Sequence, residues 1–288
     1  MFGVGFPGRT GLAASGSRLL YPAYVQDYLD RVTAADVAAG DTQGLERGVT
    51  DAFNVVLQGI VDDVCLGVSG NVISQAASKI KAMPFLCGAR TLNGCLVPVV
   101  GTAPTNFNFV EPDYNRKTGW LGNGASKWLD SNRNNTADPQ DNKHVSVYVT
   151  AAASNAALTT DYLGTGGLAA GGTRIIASST ANTTTMRVNN ISTDVDNIVT
   201  ATSRPTGLYG ASRSSGTSYT ARAGQASFTV TRSSATPLSG NINLYRRSND
   251  TSYTDARFAS YSIGEAVDLA ALEARIATLI STLAGLSI

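Results

Sequence analysis

Residues 143–150 read KHVSVYVT. Strand side chains alternate with a period of two, so Val145, Val147 and Val149 fall on one face, with Ser146, Tyr148 and Thr150 on the other. The same period recurs upstream at 106–110. Downstream it returns at 161–164, 173–178, 184–191, 196–201, 206–212, 217–222, 226–232, 241–247 and 256–263. Turn residues separate these runs: Gly164 to Gly167, Gly171-Gly172, Asn189-Asn190, Arg204-Pro205, Ser215-Gly216, Ala223-Gly224 and Ser239-Gly240. Short strands at spacings of roughly 8–12 residues predict an antiparallel β-sandwich or barrel. Strands and helices do not alternate, so a parallel sheet with a nucleotide crevice is not expected.

The flanks read differently. Residues 1–18 are Gly-rich and carry Phe2, Val4, Phe6 and Leu12. Such a segment has too few contacts to offset the ordering entropy of its glycines. Its apolar residues suit an arm that orders against a partner chain; a plain disordered terminus is the alternative. Residues 19–84 predict a small helical anchoring region. Pro22 suits a helix start, and Val25, Tyr28, Leu29 and Val32 follow at helical spacing. Gly40 is a plausible stop, and Asp41 or Thr42 a cap for a second helix with Leu45, Val49, Phe53, Val56, Leu57 and Ile60 on one face. A third helix is predicted from Ser69 to Met83, ended by Pro84. The sandwich is assigned to 85–263, its opening stretch 85–105 apolar but irregular, and a short amphipathic helix to 264–288. That last helix is capped by Asp268. Leu269, Leu272, Ile276, Leu279, Leu283 and Leu286 are spaced 3, 4, 3, 4 and 3 apart, a heptad seam. The seam suits either packing on the rest of the chain or self-association through Leu272, Ile276, Leu279 and Leu283.

Composition narrows the function. Of 288 residues only 15% are charged, against a usual ~25% in soluble domains. Gly, Thr, Ser and Asn fill the gap, as strands and turns require. Net charge is +1 with no basic run, so nucleic-acid binding is not expected. Cys65, Cys87 and Cys95 form no CxxC pair, and with one His they make no Cys-His metal site. They read as small buried thiols, although a Cys87–Cys95 bridge is open. No apolar run is long enough for a transmembrane helix. The N-terminus does not read as a secretory signal.

Catalytic patterns are missing. Glycoside hydrolysis normally needs two facing carboxylates. The chain has four Glu, at 46, 111, 265 and 273, and none makes a strand-spaced pair. Glu111 and Asp113 flank Pro112 and read as a loop or strand edge. His144 opens a strand with no nucleophile elbow in the sequence, so a triad is not expected. Residues 130–142, DSNRNNTADPQDN, offer Asp130, Asp138, Asp141 and several amides. They read as a polar loop; calcium is the less favoured alternative, because the EF-hand spacing is absent. Trp120, Trp128, Tyr209, Tyr219, Tyr245 and Tyr253 serve either a core or sugar stacking. No cofactor or metal ion is expected.

Several stretches resemble a recurring module of bacteriophage virion proteins. They are Thr105 to Val110, Asp113 to Gly119, Gly122 to Gly124, then Lys127, Leu129, Asn132 and Arg133, the strand Lys143 to Val149, and Asp255 to Glu265. The match is good over 85–288 and loose over 1–84, where the Met-Phe-Gly-Val-Gly-Phe start resembles the openings of phage tail-fibre and head-appendage proteins. The resemblance implies a concanavalin A-like or laminin G-like jelly roll, assembled in a host cytoplasm and located on the virion. It implies a non-enzymatic appendage, partnered by other virion proteins and by copies of itself, that attaches to host surface carbohydrate. A capsid or neck decoration protein is the alternative, and a polysaccharide depolymerase a remote one. The resemblance carries no set of binding residues. The residues themselves nominate Trp120, Trp128, Asn132, Asn134, Asn135, Asp138 and Asp141 for ligand binding.

Overall fold

Alternation along Lys143–Ala151 is obeyed to the letter. Val145, Val147 and Val149 are fully buried between two sheets, while His144, Ser146 and Tyr148 face a layer of helices. A computed structural model describes residues 21–154, 160–166, 169–177, 183–191, 196–199, 205–248 and 251–288. Phe2, Val4, Phe6 and Leu12 lie outside the described residues.

The first half of the chain holds α1 (Ala23–Ala38), α2 (Arg47–Asp62), β1 (Gly67–Ser69), β2 (Val72–Ser74), β3 (Ile80–Pro84), α3 (Leu92–Cys95), β4 (Pro98–Val100) and β5 (Thr105–Phe107). After them come β6 (Tyr114–Asn115), β7 (Gly119–Leu121), β8 (Trp128–Asn134) and β9 (Lys143–Ala151). The second half holds β10 (Thr160–Thr165), β11 (Thr173–Ala177), β12 (Thr183–Val188), β13 (Asp196–Val199), β14 (Gly207–Arg213), β15 (Ser218–Ala223), β16 (Ala226–Thr231), β17 (Asn241–Leu244), β18 (Arg257–Gly264) and α4 (Leu269–Gly285).

These strands build a β-sandwich. One sheet runs β16-β15-β14-β9-β18-β3-β4, with β7 joined to β18 and β6 to β7; it has nine strands. The other runs β13-β12-β11-β10-β17-β8-β5 and has seven. The named strands pair antiparallel throughout. Aromatic rings join the two sheets: Tyr162 of the seven-stranded sheet meets Tyr209 at 5.3 Å and Phe258 at 5.4 Å, both edge-on. Such edge-to-face contacts add to the area they bury. The sandwich predicted from period and turns is therefore present, mainly β and antiparallel.

The third predicted helix is not. Residues 69–83 form the β1–β2 hairpin and then β3, which pairs Ala82 with Ile263 in the nine-stranded sheet. Gly70 and Asn71 make the two-residue turn, with Gly70 at φ +61°, where a side chain would be strained. Val72, Ile73, Ala76 and Ile80 fit a helical spacing by coincidence. β-Branched residues beside a glycine turn favour the hairpin, and the sheet supplies the partner strand. The second helix also starts later than Asp41 or Thr42. The Asp41 side chain instead accepts the N–H groups of Gln43 and Gly44 and holds a turn before Arg47.

α4 is capped by Asp268, whose carboxylate accepts the N–H groups of Ala270 and Ala271. Leu272, Ile276, Leu279 and Leu283 are each 1% exposed or less within a single chain. They pack into the layer between α2 and the nine-stranded sheet. The heptad seam therefore serves the chain's own core, and these four residues are not an assembly surface. Spacing alone does not distinguish an intramolecular from an intermolecular partner. Gly210 of β14 is closely covered: a Cβ there would lie 3.0 Å from Ser146 on β9 and 3.2 Å from Leu269 at the start of α4. Leu279→Asp is expected to place a carboxylate in this apolar layer and cost about 3–5 kcal/mol. Urea denaturation should show a lower midpoint, with light scattering giving an unchanged oligomeric state. Dissociation of an oligomer without loss of stability would contradict this placement.

Ion pairs tie α2 to the sandwich. The Glu46 carboxylate lies between Arg90 at 3.0 Å and Arg116 at 2.9 Å, and its hydrogen bonds to Arg116 lower its pKa. All three cysteines are buried and free, so Cys87 and Cys95 are not bridged.

Candidate functional site

The side of the seven-stranded sheet turned away from its partner sheet carries the most chemistry. On β8, Leu129 and Ser131 point inward and are buried. Trp128, Asp130 and Asn132 therefore point outward. Register carries the pattern sideways, because Phe107 lies opposite Trp128, and Thr105 and Asn243 lie on either side of Asp130.

Phe107 and Trp128 stack 3.8 Å apart with their rings 3° from parallel. The Arg246 guanidinium lies 3.6 Å from the Trp128 ring centre. A ring and a guanidinium at these distances cannot share one face, so Trp128 is covered on both and presents its edge. Beyond Arg246 is Tyr253, with its ring centre 5.5 Å away and its hydroxyl accepting from Nη1 at 3.0 Å. Arg246 Nε is buried and makes no hydrogen bond among the described residues. The result is a ladder of four planar groups standing on the sheet.

Polar groups border the ladder. Asp130 accepts the Asn132 backbone N–H at 2.8 Å and the Asn241 amide at 3.1 Å. Asn132 adopts φ +54° and donates to Thr105 Oγ1 at 3.0 Å and to the Ala103 carbonyl at 2.8 Å. Asn243 is buried, and its Oδ1 has no hydrogen-bond partner among the described residues. On the same sheet, Arg174 grips Asp161, with Nη2 to Oδ2 at 3.0 Å. Burial pushes the Asp161 carboxyl up, against the pull of Arg174.

The structure divides the nominated residues. Trp128 and Asn132 are on this face, and Asn134, opposite Asn241, is at its end. Trp120 is not: it is fully buried against Phe109 at 5.1 Å and belongs to the core. Asn135 and Asp138 are also buried and hold structure. Asn135 binds two backbone carbonyls, and Asp138 pairs with Arg133 at 2.9 Å. Asp141 accepts from Ser234. The segment 130–142 is thus half strand and half anchored turn. Its aspartates are committed to separate partners, and among the described residues no cluster of three His, Cys, Asp or Glu is placed to hold a metal. Phe107 and Arg246 were not singled out by sequence reasoning. Phe107 had a signal in its alternation with Asn106. Arg246 had none, since only the chain reversal at Tyr245, φ +66°, brings it over Trp128.

The other candidates for chemistry are structural. Glu111 accepts the Leu92 N–H at 2.9 Å, and Asp113 pairs with Lys127. His144 is completely buried, and burial pulls its pKa down to about 4.

No family model matches this chain, and no curated protein does. Among solved structures it is similar to the binding domain of botulinum neurotoxin serotype D, at TM-score 0.49 and 8% identity, over 69% of this chain and 51% of that one. It is also similar to domain 4 of AbnA, an extracellular arabinanase from Geobacillus stearothermophilus, in complex with arabinotriose. There the TM-score is 0.41 at 11% identity, over 69% and 99% of the two chains. A third is the carbohydrate-binding module CBM40 of the Ruminococcus gnavus sialidase, bound to α2,3 sialyllactose, at 0.36 and 14%, over 48% and 84%. The chain covers about half of the neurotoxin domain. These likenesses stop at the sandwich and say nothing of what this chain binds.

Proposed function

We propose that this protein is a non-enzymatic appendage of a bacteriophage virion that attaches to host surface glycans. The observation that carries the glycan reading is the ladder of Phe107, Trp128, Arg246 and Tyr253, bordered by Thr105, Asp130 and Asn132 on one sheet face. Sugars present both apolar C–H patches and hydroxyl groups. Aromatic carbon beside carboxylate, amide and hydroxyl groups answers both. The virion reading is supported by the resemblance of residues 105–149 and 255–265 to phage virion proteins. A single weak site gains useful strength when many copies act together.

The test is binding of the purified chain to a panel of bacterial surface oligosaccharides, with Trp128→Ala beside it. The exchange is expected to weaken binding at least tenfold, because it removes the ring that Phe107 and Arg246 lean on. The melting temperature should move by only a few degrees, since Trp128 lies at the surface side of β8. Binding that survives this exchange would place the site elsewhere. Immunogold labelling of particles then separates tail from head: label over the whole capsid would turn the reading to decoration.

A further inference from the structure

We propose that the ligand of this face is an acidic glycan, and that Arg246 receives its carboxylate. This rests on the glycan-binding reading above and narrows it to a chemical class.

Among the described residues, Arg246 is a guanidinium without a carboxylate. Its contacts are the Trp128 ring, the Tyr253 ring and the Tyr253 hydroxyl. Other arginines of the chain are closed internally: Arg174 by Asp161, Arg133 by Asp138, Arg222 by Glu273 and Arg275 by Asp63. Arginine presents five N–H donors in a planar fork that matches a carboxylate with two parallel bonds. In Arg246 one Nη1 bond is used, Nε is buried without a partner, and the outer edge of the fork is left for a ligand. Stacking fixes the side chain before any ligand arrives. The rotamer entropy a free arginine would lose on binding is already lost in the folded chain. The cation–π contact holds the charge in place without cancelling it.

The surroundings narrow the class further. Asp130 lies on the same face, two residues along the strand from Trp128. Its negative charge repels a dense polyanion such as a polyphosphate or a heavily sulfated chain. It accepts well from neutral hydroxyls. The face therefore suits a sugar with one carboxylate set among free hydroxyls, a uronic or a sialic acid.

The experiment uses the whole chain and an array of uronate- and sialate-bearing oligosaccharides, each beside its carboxyl-reduced form. The acidic forms are expected to bind at least tenfold more tightly than the reduced ones. Arg246→Gln should abolish that difference, and Arg246→Lys should restore only part of it, because lysine lacks the planar fork. Tyr253→Phe keeps the ring and removes the hydroxyl, and should weaken acidic ligands a few-fold. If Arg246→Gln does not fold, the comparison of acidic and reduced ligands on the unaltered chain still decides. Equal binding of acidic and reduced forms, or acidic binding indifferent to Arg246→Gln, overturns the inference and leaves the glycan reading standing. Binding of no oligosaccharide overturns the glycan reading itself, and the acidic class with it.

Discussion

Replacing Asn135 with Leu is expected to cost about 4 kcal/mol of folding stability and to leave ligand affinity unchanged in the fraction that folds. Asn135 is fully buried where three segments meet. Its Nδ2 donates to the Leu238 carbonyl at 2.9 Å and to the Gly171 carbonyl at 3.1 Å. Its Oδ1 and its backbone carbonyl both accept from the ammonium of Lys143, itself fully buried. Leu fills similar volume but answers none of these groups. Two carbonyls lose a donor, and a buried ammonium loses one of its two acceptors. Each buried polar group left without its partner costs about 1–3 kcal/mol, and three groups are affected here. Urea midpoints measure the first part, and glycan titration of the folded protein the second. An unchanged midpoint with lost binding would make residues 130–142 a ligand loop after all.

Stability is expected to peak near pH 9 and to fall on both sides. His144 sets the acid limb. Its Nδ1 is 2.5 Å from the Glu265 carbonyl, which can only accept, so Nδ1 carries the proton. Nε2 then accepts from Ser262, whose oxygen accepts from Ser146. A second ring proton would collide with this relay in a dry layer. The folded pKa of about 4 is below the ordinary 6.5. The unfolded chain therefore binds the proton first. The contribution of His144 is complete above pH 6.5 and drains away towards pH 4, about 3 kcal/mol in all. Lys143 acts in the same sense at higher pH. Burial pulls it down to about 7 from 10.5, so stability rises between those values, by about 1.4 kcal/mol per pH unit. The thiols oppose it. Burial pushes Cys65 up to about 11, Cys95 up to about 12 and Cys87 well above its ordinary 9.0. Each is lowered in the unfolded chain relative to the folded one, so their contribution is lost as pH rises past 9. Three thiols outweigh one lysine, and the curve turns over. Urea midpoints from pH 4 to 10 would trace it, and His144→Gln should flatten the acid limb. A profile level from pH 7 down to pH 4 would mean that His144 charges without cost.

Most of the sandwich was legible because period and turn chemistry agree along it. β9, β14, β15 and β16 are read within a residue or two from alternation and from glycine turns such as Ala223-Gly224. β8 was hidden: Trp128–Asn134 is polar enough to pass for a loop, since its outward residues are Trp, Asp and Asn and its inward ones include Ser131. The 69–83 segment fits two periods at once, and only the partner strand β18 decides between them. Site residues were harder still. Asn135, Asp138 and Trp128 are equally plausible as ligands in sequence. Burial separates them, and burial depends on segments such as 236–240, which meet Asn135 from a distance of a hundred residues. Arg246 needed the third dimension altogether.

The helical layer has a consequence for how the chain is wired. The Tyr21 hydroxyl meets Thr50 and Asp51 on the first turns of α2, and Leu286 packs against Gly48 on the same turn. Lys117 reaches across to bond the Leu286 carbonyl. Tyr21 and Leu286, nearly the whole described chain apart in sequence, are therefore clasped by the same first turns of α2. That clasp belongs to the helices, on the far side of the nine-stranded sheet from the Arg246 ladder.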